Sequence, residues 1–177
     1  ALRSPVYPEM INIVEHRPVE CPNHRFDREG IAERFRAYVF TNGRPVTKSM
    51  LTWWAYSDPG QPLMGLDTTL EIEHIYAKKR NEVDPLASRA NLEALGNKAL
   101  LEKRVNIRAA DYRFCDKRKY YVGFTDGNGK RRAGTEVAEL RRLAQTADDF
   151  TEADIEARTG RIVDAFVDYL GDNGLLK

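Results

Sequence analysis

The chain has 177 residues, of which 42% are hydrophobic and 31% are charged. This length is that of one ordinary domain, and the hydrophobic fraction is enough for a core. The two cysteines, Cys21 and Cys115, lie far apart in the sequence, which excludes a four-cysteine zinc knuckle, so we expect no structural zinc. No long apolar run and no signal peptide appears, and we expect a cytoplasmic protein without membrane contact.

The net charge of +1 gives no indication of a partner, but the distribution of charge does. Residues 70–132 hold 15 Lys and Arg against 9 Asp and Glu, whereas residues 133–177 hold 5 against 10. A polyanion would bind the first of these stretches and avoid the second. The alternative is that the basic runs are ordinary solvated loops.

Two helices are predicted before residue 60. Residues 1–25 are proline-rich and non-periodic, which indicates an arm. Asp27 can cap a helix that runs to about Phe40, because apolar residues recur there at helical spacing. A second helix starts at Thr47 and is ended by residues 58–60, Asp-Pro-Gly.

The middle of the chain predicts strand, loop, strand and helix. Apolar and acidic residues alternate over residues 70–75, which is typical of a strand. Residues 78–88 are charged and read as a long loop, and long ordered loops tend to be functional. The apolar run 99–101 predicts the second strand, and a helix carrying Asn106 follows. Another short helix is predicted from Phe114 to Tyr121.

The last part of the chain predicts a turn and two helices. Residues 125–130 read as an exposed turn, and a helix is predicted from Thr135 to about Ala147. Thr151 and Asp154 have the spacing of a capping box, with Asp in place of the usual Glu or Gln. A long amphipathic helix follows them.

Four short motifs occur in order at workable spacing. They are residues 73–75 (Glu-His-Ile), residues 96–101 (Gly-Asn-Lys-Ala-Leu-Leu), Asn106, and a Phe114-to-Lys117 ending. Together they resemble the His-Asn-His (HNH) nucleases of the ββα-metal fold, in particular the C-terminal domain of GmrSD-type, modification-dependent restriction proteins. Residues 150–159 resemble the last helix of the same proteins. Ala77 departs from the pattern, because many members have a proline nearby, and leaves the following loop less constrained.

The resemblance and the element pattern together give the predicted fold. We expect an α+β, predominantly helical protein in which flanking helices embed a two-stranded hairpin and the helix of a ββα-metal (HNH) core. Residues 1–69 would form an arm and a helical buttress, residues 70–124 the nuclease core, and residues 125–177 C-terminal helices packing on it. The three parts would make one compact domain.

The resemblance implies a metal-dependent DNA endonuclease that acts in restriction and antiviral defence. A neutral imidazole near its ordinary pKa can accept a proton from water, and we assign that role to His74. Asn97 would hold the histidine loop, as the resemblance implies. Glu73 and the amide oxygen of Asn106 would bind Mg²⁺ or Mn²⁺, because hard cations prefer oxygen ligands.

Basic side chains near these motifs are candidates for DNA phosphate contacts, which give affinity without sequence choice. They are Lys78, Lys79, Arg80, Lys98, Lys103, Arg104, Arg108 and Lys117. In such restriction proteins a separate N-terminal NTPase-like domain senses or licenses cleavage, and no phosphate-binding GxxxxGK[ST] motif occurs in this chain. One site cuts one strand, so double-strand cleavage would need two copies or two nicks.

Two other interpretations stay open. The same fold could be a degenerate module that binds DNA or a protein without cleavage. A purely structural helical domain is the third interpretation, and it explains the core but not the charge distribution. For the individual residues, a His beside a Glu is most often a surface pair, and an Asn in a Gly-Asn turn usually serves backbone geometry.

Overall fold

The computed structural model describes residues 27–176, and the predicted N-terminal arm lies outside this range. The described residues form eight α-helices and two two-stranded antiparallel sheets, which confirms the predicted α+β, predominantly helical class. The chain divides into two compact units: one holds the described residues up to Phe35 and from Asp164 onward, and the other is Arg36–Val163. The three-part division predicted from the sequence stays a prediction.

The bounds of the elements are as follows. The helices are α1 (Arg28–Ala37), α2 (Pro45–Ser57), α3 (Lys78–Val83), α4 (Arg89–Leu92), α5 (Lys103–Ala109), α6 (Phe114–Val122), α7 (Ala138–Thr146) and α8 (Glu152–Asp172). The strands are β1 (Leu70–His74), β2 (Lys98–Glu102), β3 (Gly123–Thr125) and β4 (Arg131–Ala133). None of the helices within residues 27–176 combines the length and apolar composition that crossing a lipid bilayer requires.

The described residues of the smaller unit include a helix cap, an ion pair and aromatic contacts. The carboxylate of Asp27 accepts a hydrogen bond of 2.8 Å from the backbone N–H of Gly30, so the predicted cap of α1 is confirmed. Arg28 forms an ion pair with Asp168. The ring of Phe35 lies 5.1 Å from that of Phe166, centroid to centroid.

The larger unit is built on the hairpin of β1 and β2. The register pairs Leu70 with Glu102 at one end and His74 with Lys98 at the other. All five residues of β2 are buried, whereas β1 is buried only at its last two residues. Directly opposed side chains on an antiparallel pair are neighbours, so this register brings Lys98 against His74.

The stretch between the two strands corrects a prediction. Residues 78–88, read as a long loop, contain α3, and α4 follows directly. The charged residues of α3 are good helix formers, and Arg80 bonds Asp84 one turn later at 3.3 Å. Arg80 also pairs with Asp149 at 2.6 Å, which fastens α3 to the start of the C-terminal segment.

The predicted turn and capping box are both present. Residues 125–130 form the exposed turn of a hairpin between β3 and β4, whose three-residue strands are too short to leave a pattern in the sequence. At the start of α8, the carboxylate of Asp154 accepts hydrogen bonds of 2.7 Å from the backbone N–H and the hydroxyl of Thr151.

A buried arginine on α8 supports the turn that leads into β2. The Arg158 guanidinium donates to the backbone carbonyls of Leu95, Gly96 and Lys98, at 3.2, 2.9 and 2.7 Å. Its other edge pairs with Glu139 of α7 at 2.7 Å. The helix and the turn lie so close that a Cβ built on Gly96 would come within 2.0 Å of a backbone oxygen of α8. This position therefore requires glycine.

We predict that Glu139→Gln destabilises the protein in a pH-dependent way. Burial alone would raise the pKa of Glu139, but the charge and hydrogen bonds of Arg158 and the indole N–H of Trp54 outweigh it and lower that pKa. A lowered folded-state pKa contributes stability above the unfolded value near 4.5, and this stability is lost as the pH falls through the folded value. The substitution should cost about 2 kcal/mol at neutral pH.

Thermal unfolding of both proteins between neutral and acidic pH measures this effect. The difference between wild type and Glu139→Gln should shrink as the pH falls below the unfolded value near 4.5 and through the lower folded-state pKa of Glu139. Glu156→Gln, an exposed change on the same helix as Arg158, is the control and should change little. A difference that is constant across this pH range would contradict the assigned ion pair.

Candidate active site

A cavity of about 260 Å³ lies between β1 and α5. It is lined by Ile72, Glu73, His74, Lys78, Asn106, Ile107, Ala110 and Asp111. The strand end and the helix thus bring together three of the four side chains predicted to form the site, Glu73, His74 and Asn106. The fourth, Asn97, lies behind them in the turn before β2.

Glu73 is a buried carboxylate with one oxygen occupied. Its Oε1 accepts hydrogen bonds from Lys117 Nζ at 2.5 Å and from the hydroxyl of Tyr121 at 2.7 Å. No hydrogen bond to Oε2 forms among residues 27–176. Burial raises the pKa of Glu73, and the charge of Asp111 raises it further. The charge of Lys117 and the hydrogen bonds from Lys117 and Tyr121 lower it. Burial and Asp111 therefore disfavour the charged form of Glu73, and Lys117 and Tyr121 favour it.

Asn106 faces the same cavity from α5. Its side-chain N–H donates to the carboxylate of Glu71 at 2.8 Å, which fixes the orientation of the amide. The amide oxygen accepts no hydrogen bond within the described part of the chain. Its role as a metal ligand stays a prediction.

His74 is part of a buried polar cluster that also contains Lys98, Glu93 and Asn42. Lys98 Nζ lies 2.8 Å from His74 Nε2, 2.6 Å from Asn42 Oδ1 and 2.8 Å from Glu93 Oε2. An ammonium group has three N–H donors and no acceptor. Nε2 of His74 must therefore accept from Lys98, which leaves the proton of the neutral ring on Nδ1.

The surroundings of His74 keep its ring neutral. Burial and the nearby charge of Lys98 lower the pKa of His74 to about 3, against a smaller opposing effect of Glu93. The predicted pKa near the ordinary value is therefore wrong, because the histidine is 7% exposed and lies beside a buried cation. Glu93 Oε1 lies 3.5 Å from Nε2, and Nδ1 has no hydrogen bond within residues 27–176.

Asn97 makes the contacts that holding the histidine loop requires. Its side-chain oxygen accepts from the backbone N–H of Tyr76 at 2.6 Å, and its side-chain N–H donates to the carbonyls of Tyr76 and Leu92. Its own carbonyl accepts from the N–H of Ile75 at 2.9 Å. The two residues that follow His74 are thus fastened to the turn before β2.

The structure separates the predicted phosphate-binding residues into two groups. Lys98 and Lys117 are at most 1% exposed and are paired with Glu93 and Glu73, so their ammonium groups cannot reach a phosphate on the surface. We therefore correct the prediction for these two. Exposed residues of the set are Lys78, Lys79, Lys103 and Arg104, while Arg80 and Arg108 are partly buried.

Several residues of the site were not predicted from the sequence. Glu93 and Asn42 come from elements remote from β1, and only the fold brings them to His74. Asp111 lies two residues beyond α5 and could have been found from its spacing to Asn106. Tyr121 lies four residues after Lys117, so both side chains face Glu73 from one side of α6.

The chain turns sharply between Asn106 and Asp111. Ala110, at the end of α5, has φ 44° and ψ −152°, a conformation that favours glycine. This turn places Asp111 at the cavity. Backbone strain of this kind is found most often at functional sites.

We predict that Ala110→Gly raises the free energy of unfolding by about 1 kcal/mol. Relief of strain gains about 1–3 kcal/mol, and the larger freedom of glycine in the unfolded chain offsets up to about 1 kcal/mol of it. Ala109→Gly is the matched control: it lies in the preceding helical turn, is fully buried and should be destabilising. Denaturant unfolding measures both, and a loss of stability in Ala110→Gly would contradict the strained geometry.

Comparison with known proteins identifies the family. Residues 23–165 match the family model described as GmrSD restriction endonucleases, C-terminal domain, and this range contains the cavity, the buried cluster and Arg158. No curated protein and no solved structure matches the chain. The match covers well over half of the sequence. The chain therefore belongs to the family of GmrSD restriction endonuclease C-terminal domains.

Proposed function

We propose that this protein is a metal-dependent DNA endonuclease of the HNH type that hydrolyses a phosphodiester bond at the cavity between β1 and α5. The observation that carries the proposal is the convergence of Glu73, His74 and Asn106 on one cavity, within a strand–strand–helix arrangement. Membership of a restriction endonuclease family supports nuclease activity. The metal, the HNH chemistry and the roles of individual residues are part of the proposal.

The oxygen donors of the cavity fit a hard divalent cation such as Mg²⁺ or Mn²⁺. The free oxygen of Glu73 and the unengaged amide oxygen of Asn106 would be its ligands, and Asp111 is a third oxygen donor on the cavity wall. Among residues 27–176 no three His, Cys, Asp or Glu side chains are grouped so as to hold a metal, so a cation here would keep several waters. When bound, it would acidify water and stabilise charge on the phosphate.

His74 would accept the water proton at Nδ1. This would need the ring proton to move from Nδ1 to Nε2 and Lys98 to release Nε2, and Glu93 Oε1, at 3.5 Å, would then accept the Nε2 proton. Lys98 would then keep Asn42 and Glu93 as its partners. In this proposal Glu93 positions His74, and Lys117 and Tyr121 hold Glu73 with its second oxygen towards the cavity.

A second, larger cleft of about 610 Å³ would bind the DNA backbone. It shares Ile107 with the cavity and carries Lys103 and Arg104 at its edge, both exposed and without an ion pair within the described residues. Cations here would neutralise phosphates on one side of the scissile bond. Lys78, which lines the cavity itself, would neutralise phosphates on the other side of the scissile bond.

The biological setting of the activity is part of the same proposal. The family description supports a role in restriction, and we propose antiviral defence as its purpose. The family name describes a C-terminal domain, so an N-terminal NTPase-like domain would control cleavage in the full-length protein. A homodimer would allow both DNA strands to be cut.

One observation favours the alternative that the fold binds DNA without cutting it. Nε2 of His74 is occupied by Lys98, and the pKa of His74 is low, so the histidine is a weak base as it stands. A cleavage assay separates the two functions directly.

We predict that the wild-type protein nicks supercoiled plasmid in Mg²⁺ and that His74→Gln does not. Gln keeps an acceptor for Lys98, so the buried cluster should stay folded, but it cannot take a proton from water. A loss of activity of roughly 100-fold or more is expected. Asp116→Asn, at an exposed position on α6, is the control and should cleave like wild type.

The melting temperature of each variant shows whether a variant that has lost activity is still folded. A folded His74→Gln protein that nicks at the wild-type rate would remove His74 from the mechanism. A wild-type protein that binds DNA but does not nick it in Mg²⁺ or Mn²⁺ would support the binding-only alternative.

We also predict that reversing Lys103 and Arg104 to Glu weakens DNA binding for all sequences alike. Each lost phosphate contact removes one released counterion, so the slope of affinity against salt should fall by roughly two. The matched control reverses Arg89 and Arg161, which are exposed, belong to the same unit and do not line the cleft. Arg158 is unsuitable as a control because it is buried.

Fluorescence anisotropy with a labelled duplex in Ca²⁺ measures both variants without cleavage. If the Lys103/Arg104 variant keeps the wild-type salt slope, these residues are not on the DNA path.

A further inference from the structure

Three aromatic side chains, Tyr112, Tyr120 and Phe124, contact one another in a row, and we call them the aromatic platform. The rings of Tyr112 and Tyr120 lie nearly parallel, at 12°, with centroids 6.2 Å apart. The ring of Phe124 stands perpendicular to that of Tyr120 at 5.2 Å. Packing of the β3–β4 hairpin on α6 accounts for the inner rings, but Tyr112 is 50% exposed.

The platform begins at the edge of the cavity. Asp111 lines the cavity, and Tyr112 is the next residue in the chain. At the other end, Tyr120 directly precedes Tyr121, whose hydroxyl bonds Glu73. A polymer bound with one phosphate at Glu73 could therefore reach the platform with its neighbouring nucleotides.

The charges around the platform suit a polyanion. Lys119 Nζ lies 5.0 Å from the centroid of the Tyr120 ring. Lys130 and Arg131 are exposed on the adjacent hairpin, and neither they nor Lys119 form an ion pair within residues 27–176. Arg108 donates to the carbonyl of Ala133 at 2.8 Å, which ties the hairpin to α5.

Exposed aromatic faces beside cations are the combination by which proteins bind unpaired nucleotides. The bases of a duplex are stacked on one another and cannot offer their faces to a tyrosine, whereas unpaired bases can. We propose that the aromatic platform binds unpaired bases of single-stranded DNA whose backbone continues into the cavity. This inference rests on the proposed function, because it takes the cavity as the site of the scissile phosphate.

The test compares binding of labelled single-stranded oligothymidine and of a labelled duplex, both in EDTA so that no cleavage occurs. Tyr112→Leu removes the π face and keeps an apolar side chain, and it should weaken single-strand binding by roughly 5- to 100-fold while changing duplex binding by less than about twofold. Tyr112→Phe keeps the ring and should bind like wild type. Tyr56→Leu, at a similarly exposed tyrosine on α2, is the control.

A second readout detects stacking itself. The fluorescence of 2-aminopurine in the single strand should be quenched by wild type and by Tyr112→Phe, but not by Tyr112→Leu. Unchanged single-strand affinity in Tyr112→Leu, or an equal loss for single strand and duplex, would overturn the platform. If wild type cleaves DNA and Tyr112→Leu binds single strands as tightly as wild type, only the platform is overturned. If wild type stacks on single strands but cleaves nothing in Mg²⁺, only the proposed function is overturned.

Discussion

The organisation of the larger unit depends on the buried guanidinium of Arg158. It bonds three backbone carbonyls around the turn at residues 95–98 and neutralises its charge against Glu139. A buried cation with all of these partners is stable, but each partner is indispensable, because an unpaired buried charge is costly. The turn that it holds carries Asn97, which fastens the loop after His74. The C-terminal helix α8 is thus part of the structure that orients the cavity, although it contributes no residue to the cavity wall.

Two buried lysines hold the two acidic residues nearest His74. Lys117 occupies one oxygen of Glu73, and Lys98 lies between Glu93 and the imidazole. Both charges are compensated at short range, so the positive charge that faces solvent comes from other residues of the same stretch. Because their partners Glu93 and Glu73 belong to the same stretch, these two pairs leave the excess of positive charge between residues 70 and 132 unchanged.

The strand–strand–helix core was predictable because its signals are local. The alternation in β1, the apolar run in β2 and the order of the motif residues survive in a single sequence. The burial of Lys98 was not predictable, because a lysine before an apolar run looks like a solvated charge and its partners Glu93 and Asn42 meet it only in the folded chain. The helix α3 was missed because a charged segment between two strands fits a loop and a short helix equally well. Glu73, His74 and Asn106 converge on one cavity, but their roles stay predictions, and the burial of His74 and its contact with Lys98 came only from the structure.

Helix α6 serves two surfaces at once. Lys117 and Tyr121, four residues apart, face inward and hold Glu73, whereas Lys119 and Tyr120 face outward at the platform. Because the two sets alternate along one rigid element, the outward residues can be exchanged over evolutionary time without disturbing the inward ones. Under the proposed function, relatives of this protein could thus differ in their preference for nucleic-acid structure while keeping the same cavity, and α6 is the segment in which such differences should be sought.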